Sequence, residues 1–374
     1  MSKNINNLMT YWLADTGNSS LIVEIITQLA LEGRGGDAIE FISKLSTEQR
    51  QLDVVVLQHA QLLLKQGDFT VAQQLLQQLK PQTDAVLSEC VYLLALSSFL
   101  QNDHTNALKL LSDAAVKSTS NIKLQARIHY LNSRRPEALA LLSQLINDNA
   151  DAETLGMYAL ILVDEEKMQD ALPYAEAALA IDAEQVDALI AIATITIQLQ
   201  QFQLTARFTD KALAVMPGQG RIWSLHGQYL LQDGQLSQAE TALATAIQLM
   251  PSHVGTQLLL GWSLWLQDKF SHAVNAFQHA VDMDRNFAES HAGLAVAQLK
   301  TGAVSEAKYS VTRALKLNPE SIAAKYAQAL LLEQSGQHGE ATQQITEIMQ
   351  ASHYSGQYSN LEVVQRVLSE RQGE

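Results

Sequence analysis

The sequence predicts an all-α solenoid of about ten helix–turn–helix repeats with a capping helix at each end. Three residue types recurring at one period predict it. Ala178, Ala212, Ala246, Ala280 and Ala314 step by 34 residues, as do Ala239, Ala273, Ala307 and Ala341. Pro217 and Pro251 are also 34 apart, with Pro319 another 68 beyond. Gly33 and Gly67, and then Gly234, Gly302 and Gly336, keep spacings of 34 or 68. A fixed period of this length marks a stacked array in which no single unit can bury its own apolar stripe.

Each type has a physical reason for its place. In Gly218–His253 an apolar-periodic stretch predicts a first helix over about 221–233. Gly234 follows it, where a left-handed turn costs glycine nothing. Ser237 and Glu240 have the spacing of a capping box and predict the start of a second helix. That helix ends near Met250, because Pro251 cannot continue it. Gly227, Ala239 and Ala246 are small where two helices must approach closely.

Walking the register outward predicts units 19–52, 53–87, 88–118, 119–151, 152–185, 186–219, 220–253, 254–287, 288–321 and 322–355. The organisation reads as a capping helix in 1–18, degenerate repeats in 19–151 and regular repeats in 152–355. A capping helix and tail fill 356–374, where Ser359 and Glu362 have the spacing of another capping box. Ile5, Leu8, Met9, Trp12 and Leu13 place one apolar face on the N-terminal helix. Unit 119–151 reads as irregular, with a short first helix and Ser133–Pro136 at its turn.

These residues resemble the tetratricopeptide repeat (TPR) family. Trp223, Gly227, Ala239, Ala246 and Pro251 carry the resemblance in one unit. Leu260, Gly261, Ala273, Phe277 and Ala280 carry it in the next, and Leu294, Ala307, Ala314 and Pro319 in a third. His226, Leu230 and Arg285 depart from the pattern without breaking the register. The resemblance implies a right-handed α-solenoid whose first helices line a concave groove that binds peptide.

Composition narrows the function. The 374 residues hold 25 Lys+Arg against 39 Asp+Glu, a net of −14. That balance argues against a nucleic-acid partner and against binding to anionic membrane, both of which call for a basic surface. The most apolar run, Val86–Leu100, contains Glu89 and is shorter than the ~20 residues that span a bilayer. The N-terminus shows no secretory pattern, so the chain reads as soluble and cytoplasmic, with no direct membrane insertion. A single cysteine excludes a disulfide framework, and Cys90 lies in an apolar stretch that predicts burial. The ten histidines show no metal-ligand spacing, and Gly33–Gly36 lacks the Lys-Ser/Thr of a phosphate loop. No catalytic residues, cofactor or metal are expected, and the chain reads as a non-enzyme.

The expected ligand is another protein or a peptide. If the chain is arranged as in other TPR proteins, Leu258, Trp262 and Trp265 face the groove, with Ile190, Thr194, Gln228 and Tyr326 from neighbouring units. Trp262 and Trp265 are expected to be exposed anchors, because the repeat does not need them for its core. Charge supplies the second clue. Residues 148–187 hold eleven acids against Lys167, whereas 109–135 hold six bases against Asp113. The pattern reads either as a device that steers a charged partner and sets its polarity, with Glu153 and Asp187 sharing one groove-facing place in adjacent units, or as a solvated outer face whose signs happen to segregate. The carboxylate clamp of chaperone-docking relatives is missing as a set, since its places carry Ser224, Gln228, Leu259, Glu289 and Gly293. The leading expectation is therefore an interaction scaffold or adaptor that holds a segment or helix of a partner in its groove. The alternative is a regulatory sensor that closes on a small signal peptide or metabolite and controls a second partner. The oligomeric state is left open.

Overall fold

The computed structural model describes residues 3–146 and 149–352, with side chains described to Ile348 at the C-terminal end. Every regular element among them is a helix, and the chain divides into two units, Met1–Ala150 and Asp151–Glu374.

The first unit starts with α1 (Lys3–Ala14), followed by the pair α2 (Ser19–Leu31) and α3 (Gly35–Ser43) and the single turn α4 (Thr47–Arg50). Three further pairs follow: α5 (Asp53–Gln66) with α6 (Phe69–Gln78), α7 (Asp84–Leu100) with α8 (His104–Ser112), and α9 (Thr119–Leu131) with α10 (Arg135–Ser143). Ser46 and Gln49 close a reciprocal capping box at α4, so the box lies where the repeat is least regular. Ile5 is buried and the Trp12 ring meets Phe41 edge-on at 5.0 Å, which seats α1 on the first pair. Leu13, expected on that same face, is exposed.

The second unit repeats more strictly. Its pairs are α11 (Ala152–Asp164) with α12 (Met168–Ile181), α13 (Val186–Gln198) with α14 (Phe202–Val215), and α15 (Gly220–Gln232) with α16 (Leu236–Leu249). Then come α17 (Val254–Leu266) with α18 (Phe270–Met283), α19 (Ala288–Lys300) with α20 (Val304–Leu317), and α21 (Ile322–Gln334) with α22 (His338–Ser352). Each first helix has 13 residues and begins 34 after the last. The residues at 356–374 lie outside the described part of the chain.

The turns explain the glycines. Gly33, Gly67, Gly234, Gly302 and Gly336 all sit at positive φ, between 72° and 87°. Asn102, Ser133, Glu166, Gln200 and Asp268 occupy the same place in the other hairpins, at φ of 56–61°. The fold thus demands a left-handed residue at every hairpin turn, and half of the turns meet the demand without glycine. The alanines explain the packing. Ala178, Ala212, Ala246, Ala280 and Ala314 are all buried, as are Ala239, Ala273, Ala307 and Ala341.

Two local expectations are corrected. Ser237 and Glu240 do not cap α16, which begins at Leu236 after Gln235 without a side-chain cap. Glu240 instead accepts hydrogen bonds from Lys269 Nζ (2.7 Å) and Gln267 Nε2 (2.9 Å), tying one repeat to the next. In the unit at 119–151 the short element is the second helix, α10 with 9 residues, and not the first, α9 with 13. Arg134 ends the turn, and Pro136 lies in the first turn of α10, where its missing N–H costs nothing.

Candidate functional site

The first helices of the second unit present equivalent places every 34 residues, and the second place carries charge on four of the six, with Ala323 there on α21. Glu153, Asp187, Arg221 and Glu289 occupy it on α11, α13, α15 and α19, with Gly255 on α17. Sequence reasoning paired Glu153 with Asp187 but missed that Arg221 and Glu289 continue the same ladder. The signal was the 34-residue step itself.

Electrostatics distinguishes the rungs. Arg221 donates from Nη1 (2.9 Å) and Nη2 (2.6 Å) to the two carboxylate oxygens of Asp164, two repeats earlier. Burial raises the Glu289 carboxyl above its ordinary pKa, against a hydrogen bond with Ser321 that acts the other way. His253, the N-cap of α17, accepts at Nδ1 from the Thr256 backbone N–H (3.1 Å) and lies 2.7 Å from Thr256 Oγ1. Desolvation and the nearby Arg221 both lower its pKa, so the ring is held in its neutral, accepting form.

The expected aromatic anchors are buried, which corrects the sequence reading. Trp262 is 1 % exposed and Trp265 is 5 % exposed. Trp262 meets Phe277 edge-on at 5.1 Å and Trp265 at 6.1 Å, and Trp265 meets Phe270 at 6.1 Å. Lys300 Nζ stands 5.8 Å from the centroids of both Trp265 and Phe270. The reason is space released elsewhere. Phe277 is fully buried against Gly261 on α17 and Gly293 on α19, and a Cβ at Gly261 would come within 2.5 Å of its ring. With the glycines admitting Phe277, the indole of Trp262 packs on that ring instead of projecting into solvent.

Leu258, Ile190 and Tyr326 are buried too. Thr194, Gln228 and Asp187 are half-buried, and Glu153 is exposed. The reachable part of this face is therefore polar and charged, and its apolar members form the floor beneath. Among the described residues no group of His, Cys, Asp and Glu is placed to hold a metal ion. Cys90 is buried, its thiol 3.6 Å from the Leu76 carbonyl, and burial raises its pKa. No helix among the described residues is long and apolar enough to cross a membrane.

Residues 258–309, which run from α17 through the first turn of α20, match the tetratricopeptide repeat family. The chain carries TPR-type repeats. Residues 35–114 of this TPR chain match a second family, described as anaphase-promoting complex, cyclosome, subunit 3. A general transcriptional corepressor of Schizosaccharomyces pombe, ssn6, is 30 % identical over 215 residues, covering 55 % of this chain. The chain spans only about a fifth (19 %) of that relative's length. Among solved structures, YrrB, a TPR protein with an unusual peptide-binding site, is 19 % identical at a TM-score of 0.41. It covers 50 % of this chain and 97 % of its own. The Cut9–Hcn1 hetero-tetramer is 13 % identical at a TM-score of 0.47, covering 93 % of this chain and 81 % of its own. TPR proteins generally mediate protein–protein interaction, and their repeat scaffolds are typically non-enzymatic.

Proposed function

We propose that this TPR chain is a non-enzymatic scaffold that binds a segment of a partner protein along the first helices of its second unit. The observation that carries the reading is the charged ladder at the second place of α11, α13, α15 and α19. Its rungs recur with the repeat, and a bound polypeptide presents side chains at regular intervals to meet them. Glu153 and Asp187 form an acidic end, beyond which Arg221 is already neutralised by Asp164. Such an arrangement selects the polarity of a bound segment more than it adds affinity. Thr194 and Gln228 supply hydrogen bonds between the rungs. Leu258, Trp262, Trp265, Ile190 and Tyr326 contribute by holding the floor rigid, so that less entropy is lost on binding.

The test is affinity capture from the native host with wild-type chain and with the Glu153→Lys, Asp187→Lys double variant. The variant is expected to keep its helical signal and to lose the captured partner. Undiminished capture by the folded variant overturns the assignment of this face.

A further inference from the structure

The ion pair between Arg221 and Asp164 is a strap across the face along which the proposed segment runs. We propose that it is an autoinhibitory contact: Asp164 is the seat for an arginine of the partner, and Arg221 occupies that seat until the partner displaces it. This rests on the reading that a protein segment binds along the first helices, and it adds the residue that the segment must carry.

The strap takes a path that stacking alone does not produce, since each repeat of such an array ordinarily contacts only its neighbours. The Glu240–Lys269 pair, 29 residues apart, joins adjacent repeats in that ordinary way. Arg221, the second residue of α15, reaches back 57 residues to Asp164, the last residue of α11, with the whole α13–α14 pair in between. The helix α13 is packed by α12 and α14 on the side of the second helices, and by α11 and α15 on its flanks. A link from α11 to α15 therefore passes over the remaining side of α13, the face that first helices alone form. It lies on the route of the segment, over the helix that carries Asp187 and Thr194.

Two observations make Asp164 a seat for arginine as well as the end of a brace. The first is geometry. Arg221 Nη1 and Nη2 donate to separate oxygens of one carboxylate, at 2.9 and 2.6 Å, a planar match that a guanidinium makes and an ammonium does not. The Asp164 side chain is 17 % exposed, so salt and water screen it less than an open surface carboxylate. The second observation is charge. Residues 148–187 hold eleven acids against Lys167, so the cation on Asp164 comes from outside the stretch. Neutralising one carboxylate leaves a large negative excess, which draws in a basic segment and repels an acidic one. An arginine arriving there meets a carboxylate whose partners already form a guanidinium site. Exchanging one guanidinium for another keeps both hydrogen bonds and the charge balance of the seat, while Arg221 regains water and side-chain freedom.

The probe is a fluorescein-labelled nonapeptide alternating Ser and Arg, with a Ser and Lys version beside it, each titrated against the full chain by anisotropy. Arg221→Gln vacates the seat and is expected to lower Kd for the Arg peptide about fivefold or more, and for the Lys peptide less than half as much. Arg221→Lys keeps the charge and loses the fork, so it is expected to lower Kd as well, which a change of net charge alone does not do. Lys167→Gln removes an equal charge from the acidic stretch without touching the strap, and is expected to shift Kd less than about twofold. Adding Asp164→Asn to Arg221→Gln is expected to abolish the preference for Arg over Lys. The helical signal at the assay temperature checks that each chain is folded. An Arg221→Gln chain that binds the Arg peptide no tighter than the Lys167→Gln chain, or an Arg221→Lys chain no tighter than wild type, overturns the autoinhibition and leaves the strap a brace. Equal gains for the two peptides, or no binding by any chain, overturn the seat. Glu153→Lys with Asp187→Lys is expected to weaken binding in the Arg221→Gln background. If it does not, while the gain and the Arg preference persist, the ladder reading fails and the seat stands.

Discussion

Arg221 holds Asp164 through two hydrogen bonds, one from each terminal guanidinium nitrogen to each carboxylate oxygen, across 57 residues of sequence. Both side chains are less than a third exposed. The pair joins the last residue of α11 to the first turn of α15 and passes over the repeat between them. Bidentate, partly buried pairs of this kind are among the stronger polar contacts in proteins. Arg221→Gln is expected to destabilise the second unit by about 1–3 kcal/mol, since it leaves a carboxylate without its cation. Arg221→Lys keeps the charge but loses the planar fork, and is expected to recover less than half of that. Urea unfolding of the two variants and of Asp164→Asn checks this, and a double-mutant cycle isolates the coupling.

The left-handed turns predict a gain. Glu166 and Gln200 sit at φ of 60° and 56°, the place that Gly234 fills at 80°. The left-handed conformation costs a side-chain-bearing residue about 1–2 kcal/mol, part of which glycine returns as unfolded-state entropy. Glu166→Gly and Gln200→Gly are each expected to stabilise the fold by about 0.5–1 kcal/mol. Gly302→Gln is expected to lose a similar amount. Thermal unfolding of the three single variants, measured side by side, decides it.

Burial turns the tryptophans into stability residues. Trp262→Ala is expected to cost about 3–5 kcal/mol, as removal of a large buried aromatic does. It is expected to lower the unfolding midpoint of the second unit more than Trp223→Ala, because Trp223 is only half-buried. Gly293→Ala is expected to destabilise through Phe277, which has no room to retreat between α17 and α19. Both are read by denaturant unfolding. A Trp262→Ala chain of wild-type stability contradicts the packing described.

Acid weakens the second unit through its histidines. Desolvation holds the pKa values of His253 and His226 below the ordinary 6.5, with Arg221 adding to the effect at His253 and Asp210 opposing it at His226. The folded state therefore binds fewer protons than the unfolded state between those lowered values and 6.5. Stability is full above pH 6.5 and falls as the pH drops below it. His253→Asn keeps a side-chain acceptor for the α17 N-cap and does not titrate. It is expected to flatten the fall in stability between pH 7 and 5, measured by urea midpoints at each pH. An unchanged slope assigns the pH dependence to other groups.

Much of this was legible in the residues alone, and unevenly so. The 34-residue step of Ala178 to Ala314 located the helix pairs, because a small residue at a helix crossing is required in every copy. Gly234, Gly302 and Gly336 marked their turns, but Glu166, Gln200 and Asp268 left no mark, since a tolerated strain has no composition of its own. Ser237 and Glu240 had the spacing of a cap and a different use, because Lys269 from the next repeat competes for the same carboxylate. The charged ladder was half seen. Glu153 and Asp187 share a sign, and the change of sign at Arg221 hid the continuing register.

What the sequence by itself determined is the repeat: its period, its helical class and the family, all consequences of local constraints copied along the chain. What only the tertiary structure decided is which side chains are left for a partner. Trp262 and Trp265 occupy places that the repeat does not require, and from sequence an unrequired aromatic reads as an exposed one. Whether it is exposed depends on neighbours distant along the chain. Gly261 and Gly293 admit Phe277, and Phe277 gives Trp262 a surface to pack on. Burial and vacancy belong to pairs of elements, and no one repeat read alone contains them.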